Sequence, residues 1–165
     1  MTKALIVIDM QNGVVNPAGK VIYNRAGLVH LINERIAAYR QAQLPIIFVQ
    51  HVDEDLVPDS TAWQLVSSLD VLPTDLRIQK EHPNAFYRTN LQKILNQQQV
   101  DQLEICGAQT EYCVDATVKM AHGLGYQVVM KHGAASTFDN SFMTAPETNA
   151  FFAGIWRDRF LKFIN

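Results

Sequence analysis

The chain has 165 residues with 48% hydrophobic content, enough for one core that buries roughly two thirds of the unfolded surface without a disulfide or metal staple. Its 14 basic and 16 acidic residues, a net charge of −2, are mixed along the sequence. That excludes a broad basic face for nucleic acid and a polybasic membrane patch, and leaves a small molecule as the expected partner.

The Met-Thr-Lys start runs directly into Ala4-Leu5-Ile6-Val7-Ile8, a continuous apolar run that reads as a core strand. It is too short for a membrane span of ~20 residues, and it lacks the small-residue cleavage site of a secretion signal. A cytoplasmic location and reduced thiols at Cys106 and Cys113 are therefore expected. Over 26–42, Leu28, Leu31, Ile32, Ile36 and Tyr39 recur at helical spacing before Pro45 opens a second apolar run, Ile46-Ile47-Phe48-Val49, completing a βαβ unit. Residues 51–74, with Pro58, Trp63 and Pro73, are irregular. Leu76-Arg77-Ile78-Gln79-Lys80 alternates with period two and predicts a third strand, followed by a helix over 89–98. Leu103-Glu104-Ile105-Cys106 predicts a fourth strand, and 111–124 a helix with Val114, Val118 and Ala121 on one face. Residues 126–130 predict a fifth strand, 144–154 a last helix and 160–164 a short final strand. No repeat or linker interrupts this rhythm, so residues 1–165 read as a single α/β domain with a parallel sheet covered on both faces.

Ligands of such sheets bind at the carboxyl ends of the strands, where strand order reverses. Three polar residues stand at those ends: Asp9 after the first strand, Lys80 at the end of the third, and Cys113 just beyond the fourth, in the first turn of its helix. Taken singly, each has an ordinary reading as a turn cap, a solvated lysine or a small buried hydrophobe. Lys80, however, falls in phase with Leu76 and Ile78, on a side that is otherwise apolar. Cys113 sits where a helix N-terminus favours thiolate over thiol, which is how a protein makes a nucleophile of this side chain.

Together, Asp9-Met10-Gln11-Asn12, Lys80 with the following Pro83-Asn84-Ala85-Phe86 and Thr89-Asn90-Leu91, and Gly107-Ala108-Gln109-Thr110-Glu111-Tyr112-Cys113-Val114 resemble the isochorismatase-like cysteine hydrolases. That group includes nicotinamidases and N-carbamoylsarcosine amidohydrolases. The resemblance spans nearly the whole chain and implies a three-layer α/β/α sandwich around a doubly wound, six-stranded parallel sheet. It implies an Asp9-Lys80-Cys113 triad, an oxyanion hole from the backbone N–H groups of Gln109 and Cys113, and a cis peptide bond between Ala108 and Gln109. In such a triad Asp9 takes and returns the thiol proton, Lys80 stabilises the neighbouring anions, and Cys113 forms a thioester that water hydrolyses. Thr110 reads as a helix N-cap whose hydroxyl would compete for the Cys113 N–H.

Nicotinamidases carry an Asp-x-His metal motif after the second strand; here that place reads Val49-Gln50-His51, so neither a metal nor an organic cofactor is expected. His51 either lines the pocket or hydrogen-bonds at the strand end, and both readings stand. Further pocket candidates are Gln11, Trp63, Phe86, Tyr87, Tyr112 and Phe138, with Gln11 also able to brace the Asp9 loop. The resemblance implies cleavage of a C–N bond in a small amide, imide or carbamoyl compound. A vinyl-ether hydrolase of the isochorismatase type and a non-catalytic thiol sensor or binding module are the rival readings. The late aromatic residues Phe151, Phe152, Ile155, Trp156, Phe160 and Phe163 are more than a small edge readily covers, so a homo-oligomer, dimer or tetramer, is expected.

Overall fold

A computed structural model describes residues 2–165. The strands are Thr2–Ile8 (β1), Ile46–His51 (β2), Leu76–Lys80 (β3), Val100–Ala108 (β4), Gln127–Lys131 (β5), Ala135–Ser136 (β6) and Lys162–Ile164 (β7). They form one sheet in the order β3-β2-β1-β4-β5-β7, every pair parallel, with β6 beside the end of β4. The sheet thus has seven strands rather than six; the addition is β6, whose two residues pair with Gly107 and Ala108 and are too few to show a period.

The direction in which strands are added to the sheet reverses between β1 and β4. From β1 the chain passes through Arg25–Gln41 (α2) to β2 on one side, and from β4 through Asp115–Gly123 (α4) to β5 on the other. Right-handed crossovers in opposite directions place α2 and α4 on opposite faces, which gives the three layers. β1 and β2 read as near-continuous apolar runs because both of their faces are covered: residues 4–8 and 46–50 are all buried. Leu28, Val29, Ile32, Ile36 and Tyr39 form the buried stripe of α2. β3 is an edge strand, so Leu76 is 37% exposed although Ile78 and Lys80, in the same phase, are buried.

Elsewhere the structure departs from the expected bounds. Asn12–Val15 makes a short helix (α1) too brief to show a helical period, and Leu91–Gln97 (α3) is trimmed by two residues at its start. The helix expected over 111–124 divides into a π-helical turn, Thr110–Val114, and α4. The last helix, Ala145–Trp156 (α5), begins at a capping box in which Thr144 Oγ1 accepts from the Glu147 N–H and the Glu147 carboxylate accepts from the Thr144 N–H. Its aromatic residues are used mainly inside the molecule. Trp156 is buried with Nε1 donating to Asp115 Oδ1 at 2.8 Å, and Phe152, Ile155, Phe160 and Phe163 pack on the core. Of the six residues that suggested an assembly surface, only Phe151, at 55%, is strongly exposed. No helix among the described residues is long and apolar enough to cross a membrane.

Glu104, in central β4, is buried and receives a bidentate pair from Arg35 of α2 at 2.6 and 2.9 Å. Removing the cation leaves a buried carboxylate alone, so Arg35→Ala is expected to cost about 3–5 kcal/mol, read as a lower urea midpoint with little change in slope.

Candidate active site

Asp9, Lys80 and Cys113 converge beyond the carboxyl ends of β1, β3 and β4, at the switch point of the sheet. Asp9 lies in the left-handed region, at φ 49°, with its N–H donating to the Val49 carbonyl at 2.9 Å. A non-glycine residue held there indicates surroundings that over-determine the turn. Gly107 makes the convergence possible. Its φ is +128°, and a Cβ at that position would collide with the Ile8 carbonyl oxygen, so only glycine lets β4 run this close to the end of β1. The following Ala108–Gln109 peptide bond is cis. Beyond it the π-helical turn carries Cys113 towards Asp9, a local geometry recurrent at functional sites.

Lys80 is the centre of the group. Its side chain is fully buried, and Nζ lies 2.7 Å from Asp9 Oδ2, 3.0 Å from His51 Nδ1 and 3.3 Å from Cys113 Sγ. The β2–β3 register sets His51 directly opposite Lys80. Asp9 is buried too, and its second oxygen, Oδ1, has no N–H or O–H donor among the described residues. Burial raises the Asp9 carboxyl above its ordinary value even though Lys80 pulls it down. The Cys113 thiol is pushed up to about 12, first by burial and then by the Asp9 charge, with Lys80 opposing both. This corrects the expectation of a resting thiolate: desolvation and the Asp9 charge outweigh the Lys80 cation. With Lys80 taken as the ammonium, Asp9 as the carboxylate and Cys113 as the thiol, the buried group carries no net charge. Moving the thiol proton to Asp9 conserves its net charge, whereas losing it to solvent would leave two anions on one cation.

Asp9 and Cys113 open into a cleft of about 330 Å³ lined by His51, Gln109 and Tyr112 together with Gly13, Val14, Asp53, Asp55, Leu56 and Pro83. Tyr112 is 59% exposed at its rim. The other candidates sit elsewhere. Phe86 is core, stacked on Tyr126 at 5.9 Å between ring centroids, because its strand-end loop folds back onto the interior. Tyr87 packs edge-on against His82 outside the cleft, and Phe138 lies under the Lys20 ammonium. Trp63 is half-buried and meets the site through its backbone, its carbonyl accepting from the side chains of Gln11 and Gln50. Gln11 is a brace: its amide accepts from the His51 N–H at 2.7 Å and donates to the His51 carbonyl at 2.9 Å. Thr110 does not cap the turn; Gln109 stands at that position, and the Thr110 hydroxyl donates to Asn149 Oδ1. Both cysteines are free, and Cys106 is buried with its Sγ against the Ile6 carbonyl. Sequence reading did not single out Asp53, Asp55 and Leu56, although the acidic Asp53-Glu54-Asp55 run begins two residues after the end of β2.

One ligand atom each from Asp9, His51 and Cys113 lies within 4.8 Å of the others, close enough for a metal site. The group does not fit a divalent ion. The Lys80 ammonium already contacts all three residues, and Val49, fully buried, stands where nicotinamidases have an aspartate.

Residues 3–153 match the Isochorismatase domain. A crystal structure of an isochorismatase family protein superposes with a TM-score of 0.96, at 46% identity over 99% of this chain and 98% of that one. YddQ of Bacillus subtilis, an uncharacterised isochorismatase family protein, is 30% identical over 93% of this chain and 89% of its own. Streptothricin hydrolase of Streptomyces noursei is 29% identical over 83% of this chain, but the match spans only 50% of that longer enzyme. A nicotinamidase and amidohydrolases also stand among the relatives. Because the match runs through all three strand ends that build the cleft, and not through one motif, the chain belongs to the isochorismatase family, whose named members include hydrolases.

Proposed function

We propose that the protein is a cysteine hydrolase that cleaves the C–N bond of a small amide, imide or carbamoyl compound. The observation that carries this reading is the buried Lys80 ammonium in contact with both the Asp9 carboxylate and the Cys113 sulfur, two groups that line a cleft. Asp9, raised above its ordinary value, is the better base for it. It takes the Cys113 proton as sulfur attacks the carbonyl carbon, and Lys80 stays beside the charge as it passes from oxygen to sulfur. The backbone N–H groups of Gln109 and Cys113 receive the carbonyl oxygen as it becomes an oxyanion. Collapse of this intermediate breaks the C–N bond, and Asp9 returns its proton to the leaving nitrogen. Water, deprotonated by Asp9, then opens the thioester to a carboxylic acid and restores the thiol. Vinyl-ether hydrolysis has no such need of a thiol beside a base.

The test is release of ammonia or amine from a panel of small amides, imides and carbamoyl compounds, with Cys113→Ala in parallel. Release by the wild type alone supports the reading; release by neither, or equally by both, overturns it. Turnover is expected to survive dialysis against a chelator, because the Lys80 ammonium already contacts Asp9, His51 and Cys113. Loss of activity restored by zinc or iron would refute that. We also propose a homo-oligomer, with Phe142, 91% exposed, and Phe151 as its apolar contacts.

A further inference from the structure

The Lys80 ammonium has three protons and three acceptors: Asp9 Oδ2 at 2.7 Å, His51 Nδ1 at 3.0 Å and Cys113 Sγ at 3.3 Å. With one proton for each, the direction of the N–H that meets sulfur is set by the other two contacts. An ion pair accounts for Asp9. The His51 contact says more, because an ammonium can only donate. Nδ1 must therefore hold its lone pair, and the ring proton must sit on Nε2. Nε2 lies 3.4 Å from Asp53 Oδ2. That carboxylate is itself oriented, its Oδ1 accepting from the N–H groups of Asp55 and Leu56 at 2.9 and 2.8 Å. The His51 backbone is held on both sides by Gln11. Burial, with Lys80 and His82 opposing the imidazolium, keeps the ring neutral against the pull of Asp9 and Asp53.

We propose that His51, held as the Nε2–H tautomer by the Lys80 ammonium at Nδ1 and by the Asp53 carboxylate facing Nε2, is a positioning residue that takes one proton of that ammonium and so aims another at the Cys113 sulfur. Without that acceptor a buried N–H loses its partner, and the ammonium shifts to share two protons with Asp9, leaving sulfur less well served as it becomes anionic. The inference rests on Cys113 as the reacting group but not on which bond the enzyme cleaves.

Alkylation of Cys113 by iodoacetamide, followed by peptide mapping across a range of pH, reads this directly and needs no substrate. In His51→Ala and His51→Gln the rate at neutral pH is expected to fall about ten-fold, and the midpoint of the pH profile to move up. His51→Asn, whose amide oxygen reaches the place of Nδ1, recovers most of the rate. Asp53→Asn keeps the loop turn through Oδ1 but offers an N–H₂ to Nε2. This favours the other tautomer, sets an N–H against the ammonium, and slows alkylation as His51→Ala does. Equal rates and midpoints in the wild type and Asp53→Asn overturn the proposal whatever the His51 variants do, and so does His51→Asn as slow as His51→Ala. A wild type without amide turnover but with this alkylation pattern would sink the amidase reading and uphold the role of His51.

Discussion

Cys113→Ala is expected to abolish turnover on any substrate the wild type hydrolyses, with an unfolding free energy within about 1 kcal/mol of the wild type. The asymmetry follows from the site. In the proposed mechanism the sulfur is the atom that attacks, whereas the buried Lys80–Asp9 pair, 2.7 Å apart, survives its removal. Limited treatment with iodoacetamide should label Cys113 and spare Cys106. The contrast does not come from a resting thiolate, since both thiols are raised by burial. It comes from access and from a base: Cys113 lines the cleft beside Asp9, while Cys106 is 1% exposed and bonded to the Ile6 carbonyl. Cys106→Ser should therefore keep most of the turnover while losing stability, by placing a hydroxyl in an apolar strand. Labelling that favours Cys106, or full activity in Cys113→Ala, would refute the mechanism.

Lys80→Met should strike activity and stability together. Turnover is expected to fall by about 10²–10³-fold, because the oriented donor at the developing negative charge is gone. At neutral pH the fold should lose about 3–5 kcal/mol, since Asp9 stays buried with no counter-charge. The loss has a sign in pH. With Lys80 absent, the Asp9 carboxyl, already raised in the folded protein, rises further above its unfolded value. The folded state then binds more protons than the unfolded one, so stability increases as pH falls and Asp9 takes up its proton. Urea midpoints of wild type and variant should accordingly converge towards acid pH; a gap constant from neutral to acid would show that Asp9 is not the stranded charge.

The elements were legible where periodicity is strong. The apolar runs at 4–8 and 46–49 announce strands covered on both faces, and the spacing of Leu28, Ile32, Ile36 and Tyr39 announces α2. Short or irregular pieces were not legible. α1, β6 and the π-helical turn are two to five residues long, and no period can be read over so few. The aromatic residues of the last segment could not be divided into core and surface, because Trp156 and Phe151 lie on one helix and only its packing buries the first and exposes the second.

By itself the sequence determined an alternating strand-and-helix chain with a parallel sheet, and it set Asp9, Lys80 and Cys113 at strand ends, because both follow from local pattern and from where apolar runs stop. Tertiary structure decided which of these groups touch and in what protonation state. Lys80 and His51, 29 residues apart, meet because their two strands pair in one register, and Asp9 reaches the Cys113 turn because Gly107 lets β4 close on β1. Only burial, a property of the assembled fold, could set the competition between desolvation and the Lys80 charge that raises both the Cys113 thiol and the Asp9 carboxyl above their ordinary values.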